Sequence, residues 1–419
     1  MDLQGPLQDR ATIDFDHTST EHATAWPDSY RELREKCPHA WTESHGGYWV
    51  ASRYKDVMSV AQSPAFSAEK VYNPETGELR GGNIIPPFPV QPVIPVECGN
   101  EAWRGYRSFL NRRFSPAMAE GRRPVARAVA RTLIDRVIET GKLDFVDDLT
   151  SPLPAIVTME MFGFALDDWI DFAEPIHKYM FYRPDHPEYP EIVNRLGGII
   201  ERIDRETADR RRTPRDDLMS YIANGEVDGR LLTSTEVNQM SLNIIFGGVD
   251  TTTALTSCVL RYFGQNPDQR QRLIDDPALR PIAREECVRY FAPVHGVARH
   301  ATQDVEVNGW TIGKGDSIFL AIASANRDAT VFADADQFRI DRQPNRHVGF
   351  GAGMHHCLGL FIARAMFDAM FDEVLERMPD YVLIAEDEVP YSSVDKVNGW
   401  AKLPATFTPG PKLGGGLAL

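Results

Sequence analysis

The chain has 419 residues, of which 42% are hydrophobic and 25% are charged, and its formal net charge at pH 7 is −15. This composition is typical of a globular protein with a large core and excludes an intrinsically disordered chain. The negative charge excludes nucleic acid or an anionic membrane as the partner of the whole molecule, because phosphate groups would repel it. The sequence has neither a signal peptide nor the ~18 consecutive apolar residues of a membrane span, so we expect a soluble, cytoplasmic protein.

Cysteine usage supports a reducing compartment. The five cysteines are widely spaced and form no CxxC pair. An odd number without pairing fits a cytoplasmic protein better than a disulfide framework. At least one cysteine is therefore free for a chemical role. The five are Cys37, Cys98, Cys258, Cys287 and Cys357.

The first quarter of the chain contains an apolar loop rather than a polar linker. A short strand is predicted over Gly47–Ser52. From Pro64 to Val96 the sequence lacks a regular pattern, and its apolar core, Ile84 to Val90, is interrupted by prolines that exclude helix and central strand. Such a loop either packs on the body of the protein as a polyproline stretch or covers a substrate cavity.

Helical patterns dominate the rest of the sequence. A hairpin pair is predicted over Val305–Leu320, around Gly309 and Gly313. Because strands are few and interleaved with helices, the fold class is mainly α with small β-sheets (α+β). Apolar residues at three-to-four spacing predict helices over 101–113, 124–140, 152–163 and 190–208.

We expect one integrated domain over residues 20–408. Residues 1–19 are expected to form a flexible N-terminal segment, and residues 409–419 a C-terminal tail. The mixing of strands and helices along the chain argues against a division into two domains, although the length alone would allow one.

A long helix is predicted to begin near Leu232, where Thr233 and Glu236 have the spacing of a capping box. Its apolar pattern is interrupted by Gly247-Gly248 and then by Asp250-Thr251. Two glycines would let a flat ligand approach the backbone, and a threonine hydroxyl can replace a lost backbone bond and open the helix locally. The alternative is a helix that ends here, with Asp250 capping the next one.

The segment from His347 to Gly359 carries the strongest chemical signal. Glycines form a tight loop, and Cys357 stands where the loop turns into a helix. At a helix N-terminus the unpaired N–H groups favour a thiolate and lower the cysteine pKa from about 8.5, which prepares a nucleophile or a metal ligand. Zinc is disfavoured, because His355, His356 and Cys357 are adjacent and cannot easily converge on one tetrahedral ion.

The same segment, Phe350-Gly351-x-Gly353-x-His355-x-Cys357-Leu358-Gly359, resembles the haem-binding signature of the cytochrome P450 family at every fixed position. Glu286-x-x-Arg289 resembles the family's ExxR pair, Gly247-Gly248-Val249-Asp250-Thr251 resembles its oxygen-binding helix, and Ala325-Asn326-Arg327-Asp328 resembles the stretch before the cysteine loop. The motifs occur in the family's order over roughly residues 20–408. The resemblance implies a single-domain P450 fold with the haem between the long helix and the helix after the cysteine loop.

The resemblance also implies the residues of a site for haem b (iron protoporphyrin IX). Cys357 would ligate the iron as thiolate, and Glu286 and Arg289 would form a structural pair that holds the cysteine loop. Two residues depart from the family's pattern: Trp103 stands where histidine is common, and Gly247 stands where alanine is usual. The residues expected to contact haem or its propionates are Trp103, Arg107, Gly247, Arg299, His347, Phe350, His355, Cys357 and Gly359.

The implied reaction is a monooxygenation, in which O₂ is activated reductively and one oxygen atom enters a C–H bond. Thr251 would hydrogen-bond the activated oxygen, and Asp250 would connect that position to solvent as a proton relay. Because the sequence has no flavin or nicotinamide motif, electrons would come from NAD(P)H through a reductase and a separate ferredoxin, which would dock near Arg104, Arg112 and Arg113. A peroxide-driven peroxygenase or isomerase, and a non-catalytic haem sensor, are the alternatives on the same fold.

An apolar small molecule is the expected substrate, since most residues assigned by position to the distal face are apolar. Terpenoids, steroids, fatty acids and aromatic compounds all remain open. The segment Tyr179–Tyr182 and the apolar loop are expected above the haem. The assigned pocket residues are Ile84, Ile85, Phe88, Phe181, Asn243, Phe246, Gly247, Val294, Val397 and Asn398.

Overall fold

Helices form the larger part of the chain in the computed structural model, which describes residues 11–72, 79–88 and 92–417. The predicted helices at 101–113, 152–163 and 190–208 are confirmed within a few residues. The α-helices of the described residues are α1 (Thr20–Lys36), α2 (Tyr54–Gln62), α3 (Asn100–Asn111), α4 (Pro116–Val137), α5 (Pro152–Phe162), α6 (Trp169–Phe181), α7 (Tyr189–Arg212), α8 (Leu218–Ala223), α9 (Ser234–Gln265), α10 (Pro267–Asp275), α11 (Arg280–Phe291), α12 (Ile322–Ala325) and α13 (Leu360–Arg377).

Helix α4 begins eight residues before its predicted start at position 124. Ser115 caps it by accepting a hydrogen bond from the N–H of Met118, and Pro116 occupies the first helical position. There the missing N–H of proline costs nothing, because that group has no partner inside the helix. The predicted helix started at Pro124, and the observed helix accommodates this proline in its interior.

Helix α9 is the longest helix and begins as predicted. Thr233 accepts a hydrogen bond from the N–H of Glu236, and the Glu236 side chain accepts one from the N–H of Thr233, which completes the capping box. The helix continues without a break through Gly247 and Thr251. The alternative of a helix ending before Asp250 is therefore wrong.

The strands form small sheets beside the helices. In the largest sheet the order is β1-β2-β12-β9-β3; β12 runs parallel to β2, and the other neighbours are antiparallel. The strands of the described residues are β1 (His39–Thr42), β2 (Tyr48–Ala51), β3 (Phe66–Ser67), β4 (Lys70–Tyr72), β5 (Leu79–Gly81), β6 (Lys142–Asp144), β7 (Glu226–Val227), β8 (Arg230–Leu231), β9 (Val297–Ala301), β10 (Val305–Val307), β11 (Trp310–Ile312), β12 (Ser317–Leu320), β13 (Val382–Leu383), β14 (Val389–Pro390), β15 (Trp400–Lys402) and β16 (Pro404–Thr406).

The predicted hairpin pair is correct only in its first half. Strands β10 and β11 pair around Gly309, but β12 pairs with β2 and β9 in the large sheet instead of with β11. Local turn residues identify a hairpin, whereas one of the two partners of β12, strand β2, lies more than 250 residues earlier in the chain and leaves no local pattern.

The ends of the described chain are tied to the body. Thr12 bridges to Trp41, and Phe15 and His17 are buried, so residues 11–19 pack on the core although a flexible segment was expected there. Near the other end, the N–H of Gly414 donates to Asp135. None of the described helices has the length and apolar character needed to cross a membrane.

Candidate functional site

A cavity of about 360 Å³ separates α9 from the loop that carries Cys357. Gly247 faces this space, since a Cβ atom there would meet nothing within 4 Å. Gly248 instead allows close packing on α5, where a Cβ atom would lie 2.9 Å from the hydroxyl of Thr158. The α9 wall consists of Asn243, Ile244, Gly247, Gly248, Thr251, Thr252 and Leu255.

The opposite wall is the cysteine loop. Its turn requires glycine at position 353, where φ is +66° and a Cβ atom would lie 2.0 Å from the carbonyl oxygen of Ala61 at the end of α2. The N–H of Cys357 donates to the carbonyl of Phe350, 2.8 Å away, which holds the cysteine at the rim of the loop. Phe350, Cys357 and Gly359 all line the cavity, as expected from the sequence.

The predicted lowering of the Cys357 pKa is wrong. Burial raises the pKa of this thiol, although the N–H groups of Gly359 and Leu360 and the guanidinium groups of Arg107 and Arg364 act in the opposite direction. The helix N-terminus is present as predicted, but the loss of hydration outweighs it. A thiol in these surroundings becomes a thiolate when a metal cation binds the sulfur, because the cation displaces the proton.

The pair Glu286 and Arg289 lies fully buried on α11 and anchors the segment before the cysteine loop. Arg289 donates through Nε to Glu286, 2.7 Å away, and to the carbonyls of Asn326, Ala335 and Gln337. Glu286 also accepts from Nε of Arg342 at 3.0 Å. The pair therefore fixes a turn-rich segment that ends where the side chain of Asn326 accepts from the N–H of Val348.

One edge of the cavity is lined by a buried arginine and by a histidine whose ring has no hydrogen-bond partner among the described residues. Arg299 is buried, and burial lowers its pKa to about 10. Both ring nitrogens of His355 are buried without a hydrogen-bond partner among the described residues, and burial, then Arg299 and Arg107, lower the pKa of His355 to about 3. Trp103 lies beside them, with its ring 5.6 Å from that of His355. Groups of this kind fit the carboxylates of an anionic ligand.

His347 lies elsewhere and does not line this cavity. Its Nε2 is 3.2 Å from Glu285, and its Nδ1 accepts from the N–H of Gly349. Glu285 also forms an ion pair with Arg364 at 2.6 Å. Both ring nitrogens of His347 are thus engaged within the protein, and its expected contact with a propionate stays a prediction.

The two polar residues of α9 point in different directions. Thr251 lines the cavity, and its hydroxyl donates to the carbonyl of Gly247 at 2.8 Å. Asp250 is fully buried behind the cavity wall, where Nδ1 of His177 is 2.7 Å from its carboxylate and the hydroxyl of Tyr391 is 3.2 Å away. The expected direct path from Asp250 to solvent is therefore occupied by two side chains.

Asn243, Gly247 and Val294 line the cavity as expected from the sequence, and the other assigned pocket residues lie outside its lining. Ile85 packs in a separate core cluster with Phe15 and Tyr30. Residues 89–90 of the apolar loop lie outside the described residues. The remaining assigned positions, which are not among the residues that line the cavity, are Ile84, Phe88, Phe181, Phe246, Val397 and Asn398.

Among the residues of the site that sequence reasoning missed, four carry polar groups that matter for its chemistry. His177 and Tyr391 contact Asp250, and Thr252 and Arg364 line the cavity. Arg364 follows Cys357 by seven residues, about two helical turns, which is a signal that spacing could have given. His177 and Tyr391 are separated from Asp250 by 73 and 141 residues, and nothing in the sequence connects them.

The residues present fit a haem. The cavity is mostly apolar, a thiol faces it from one wall, glycine and threonine face it from the other, and Arg299 and the unpartnered ring of His355 meet at one edge. By contrast, the described part of the chain holds no group of three or more His, Cys, Asp or Glu side chains that could bind a metal ion by themselves.

Comparison with known proteins gives the same answer. A family model described as Cytochrome P450 matches residues 283–379. A steroid C26-monooxygenase of Mycobacterium tuberculosis is 31% identical over 92% of this chain and 94% of its own length. Linalool 8-monooxygenase of Pseudomonas putida is 30% identical over 86% of this chain and 90% of its own length.

The fold likeness extends over almost the whole chain. A mutant of P450 EryK in complex with erythromycin B matches with a TM-score of 0.82 at 27% identity, covering 95% of this chain and 100% of that chain. The matched region includes the cavity, the cysteine loop and α9. The chain belongs to the cytochrome P450 family of haem monooxygenases.

Proposed function

We propose that this P450 monooxygenase hydroxylates an apolar small molecule bound between α9 and the cysteine loop, with electrons supplied by a separate ferredoxin. One observation carries the proposal: Cys357 and Thr251 face the same apolar cavity from opposite walls, and the buried Arg299 and the unpartnered ring of His355 stand at its edge. Each of these groups has a role in holding a haem or in moving a proton, and the arrangement suits no simpler ligand equally well.

Cys357 would hold the iron, and Arg107, Arg299 and His355 would hold the propionates. When bound, the haem supplies the reductive activation of O₂, from which one oxygen atom enters the substrate and the other leaves as water. The group would be haem b, because the sequence has no CxxCH motif for covalent attachment. The five free cysteines support a reducing cytoplasm as the location.

Proton delivery is assigned to Thr251 with Asp250 behind it. The Thr251 hydroxyl is held by the Gly247 carbonyl, so its oxygen lone pairs remain free to accept a proton or a hydrogen bond from the cavity. Asp250 directly precedes Thr251 on α9 and is the nearest carboxylate in the sequence. Its carboxylate would pass protons toward Thr251 after its hydrogen bond with His177 has broken.

The substrate is proposed to have an isoprenoid-type skeleton, such as a steroid or a terpenoid. The names of the two relatives, a steroid monooxygenase and a linalool monooxygenase, support this class, and so does the apolar lining of the cavity. Asn243 on α9 lines the cavity, and its side-chain amide would hold the one polar group of such a molecule.

A ferredoxin would dock on the outer face of α3. Arg104 and Arg112 are exposed there, and in the described chain no carboxylate pairs with either of them. Arg113 is less free, since it lies 4.6 Å from the ring of Tyr221. Four arginines of α4 form ion pairs with acidic residues of α5 or α13, so they do not belong to the docking face. They are Arg122, Arg123, Arg127 and Arg131.

The test is a spectral screen followed by turnover. The purified ferric protein is titrated with steroids, terpenoids, fatty acids and aromatic compounds, and the Soret band is followed. Binders are then incubated with ¹⁸O₂, NAD(P)H, a reductase and a ferredoxin. We expect one ¹⁸O atom in a hydroxylated isoprenoid product. Product formed with hydrogen peroxide but not with the reduced ferredoxin would instead identify a peroxygenase.

A further inference from the structure

Asp250 is held in a cluster of three side chains from three parts of the fold. His177 comes from α6, Asp250 from α9, and Tyr391 from the loop between β14 and β15. Nδ1 of His177 lies 2.7 Å from Asp250 Oδ1, and the Tyr391 hydroxyl lies 3.2 Å from both carboxylate oxygens and from Nδ1. The three residues are 7%, 0% and 6% exposed, so water does not compete for these bonds.

The donors and acceptors of this cluster define its protonation. A carboxylate only accepts, so Nδ1 of His177 carries a proton toward Asp250. Burial raises the pKa of Tyr391 well above its ordinary value, so the phenol stays protonated and donates as well. Nε2 of His177 is buried and has no hydrogen-bond partner in the described chain. The ring thus has one nitrogen committed to Asp250 and one nitrogen free to exchange a proton.

Other charged groups surround the cluster without replacing His177. Lys396, in the same loop as Tyr391, attracts Asp250 electrostatically, but its ammonium donates to the carbonyl of Tyr179 at 2.8 Å. Asp395 and Arg183 act on Lys396 in turn. Among the described residues, none of these three groups forms a hydrogen bond with Asp250. His177 does, through Nδ1.

We propose that His177 transfers protons to Asp250, and that this transfer sets how efficiently protons reach Thr251 during turnover. In the step, the imidazolium of His177 breaks its Nδ1–H bond, an O–H bond forms on Asp250, and the ring becomes neutral with its remaining proton on Nε2. After Asp250 has passed its proton toward Thr251, a further proton reaching the ring restores the imidazolium. His177 acts through Asp250 and is therefore a positioning residue; the inference rests on the proposed role of Asp250 and Thr251.

The pH dependence follows from the imidazole. A neutral ring still donates a hydrogen bond through Nδ1, but it cannot transfer that proton without forming imidazolate. The supply therefore depends on the protonated ring and falls as pH rises. Lysine or arginine in this place would stay charged and give no such dependence.

Product formed per NAD(P)H consumed is the first measurement, taken from pH 5.5 to 8.5 for wild type, His177→Gln and His186→Gln. Glutamine still donates to Asp250 but does not titrate, and His186 lies in the next loop and does not contact the cluster. We expect the wild type and His186→Gln to lose yield as pH rises. His177→Gln should be flat, and about tenfold below wild type at pH 6. A wild-type profile in His177→Gln, or a flat one in His186→Gln, overturns the inference.

Nitrogen NMR of the histidine rings gives a readout independent of turnover. It is recorded on ¹⁵N-histidine holoenzyme in the reduced carbon-monoxide complex, for wild type and Asp250→Asn. Replacement of the charged acceptor by a neutral amide should shift the Nδ1 resonance of His177. An unchanged Nδ1 resonance contradicts the inference even if His177→Gln does not fold. A wild-type product yield in Asp250→Asn would instead refute the proposed proton route itself.

Discussion

The hydroxyl of Thr251 donates to the carbonyl oxygen of Gly247, 2.8 Å away and one helical turn earlier. This bond turns the hydroxyl oxygen toward the cavity and fixes it there. The helix remains continuous, so the threonine serves the cavity without opening α9. A hydrogen-bonding group is thus presented at one point of an apolar wall.

Thr251→Ala is expected to separate electron consumption from product formation. The variant should keep its haem spectrum, substrate binding and NAD(P)H consumption, because it removes no wall of the cavity. Without the hydroxyl, protons are misdirected and the electrons are released as hydrogen peroxide, so product per NAD(P)H should fall about tenfold or more. Product and peroxide are measured together in one reaction.

Thr252→Ala is the matched control. Thr252 also lines the cavity, but it lies about 100° further round the helix. Its removal should change the yield much less. Equal product yields in wild type and Thr251→Ala would show that protons arrive by another route.

The exposed charge of Arg112 is expected to govern reduction by a ferredoxin. Arg112→Glu should slow the first electron transfer, most strongly at low salt, because complementary charge acts mainly on the association rate. Substrate affinity should not change. Arg205→Glu, an exposed substitution on α7, is the control and should reduce at the wild-type rate. If stopped-flow reduction rates are the same in wild type and Arg112→Glu, the docking face lies elsewhere.

Loss of the charge on Glu286 is expected to destabilise the protein. Glu286→Gln leaves Arg289 and Arg342 buried without their carboxylate, and breaking a buried pair in this way costs about 3 kcal/mol or more. Urea unfolding measures the change, and haem retention should fall with it. Glu32→Gln removes an exposed pair with Lys36 and should change the stability much less, because water and salt screen such a pair. Equal losses in both variants would contradict the structural role of Glu286.

Acid sensitivity is expected to originate partly in the N-terminal segment. Burial lowers the pKa of His17 and of His22 from 6.5 to about 4. Between pH 6.5 and 4 the unfolded chain binds protons that the folded chain does not, so the free energy of unfolding falls as pH falls. The loss is at most about 3 kcal/mol for each residue and is absent above pH 6.5, where both states are neutral.

Urea unfolding at pH 7.0, 5.5 and 4.5 tests this effect. The difference in unfolding free energy between pH 7.0 and 4.5 should be smaller in His17→Gln than in wild type. His186→Gln, which changes a histidine outside this cluster, should keep the wild-type difference. An identical pH dependence in wild type and His17→Gln would show that His17 does not contribute.

Much of the site was predictable because it is local in the chain. The loop before Cys357, the capping box of α9 and the spacing of Glu286 and Arg289 are each fixed within a few residues, and the structure confirms the geometry of all three. Such features depend on turn residues, helix caps and helical periodicity. These act over one or two turns and can be recognised in a sequence.

The remainder depends on contacts between distant segments. Whether Ile85 covers the cavity or joins another core cluster is decided by residues such as Phe15, 70 positions away. His347 was expected at a propionate, but Glu285 and Gly349 use its ring. The pKa of Cys357 likewise depends on how much of the protein surrounds the thiol, which the helix N-terminus alone does not determine.

The central claim is that Cys357 ligates the haem iron as thiolate. The most direct test is the carbon-monoxide difference spectrum of the reduced protein, compared among wild type, Cys357→His and the control Cys37→Ser. Thiolate ligation gives the shifted Soret absorption of P450 enzymes, so wild type and Cys37→Ser should show it and Cys357→His should lose it. A shifted band that persists in Cys357→His would contradict the account.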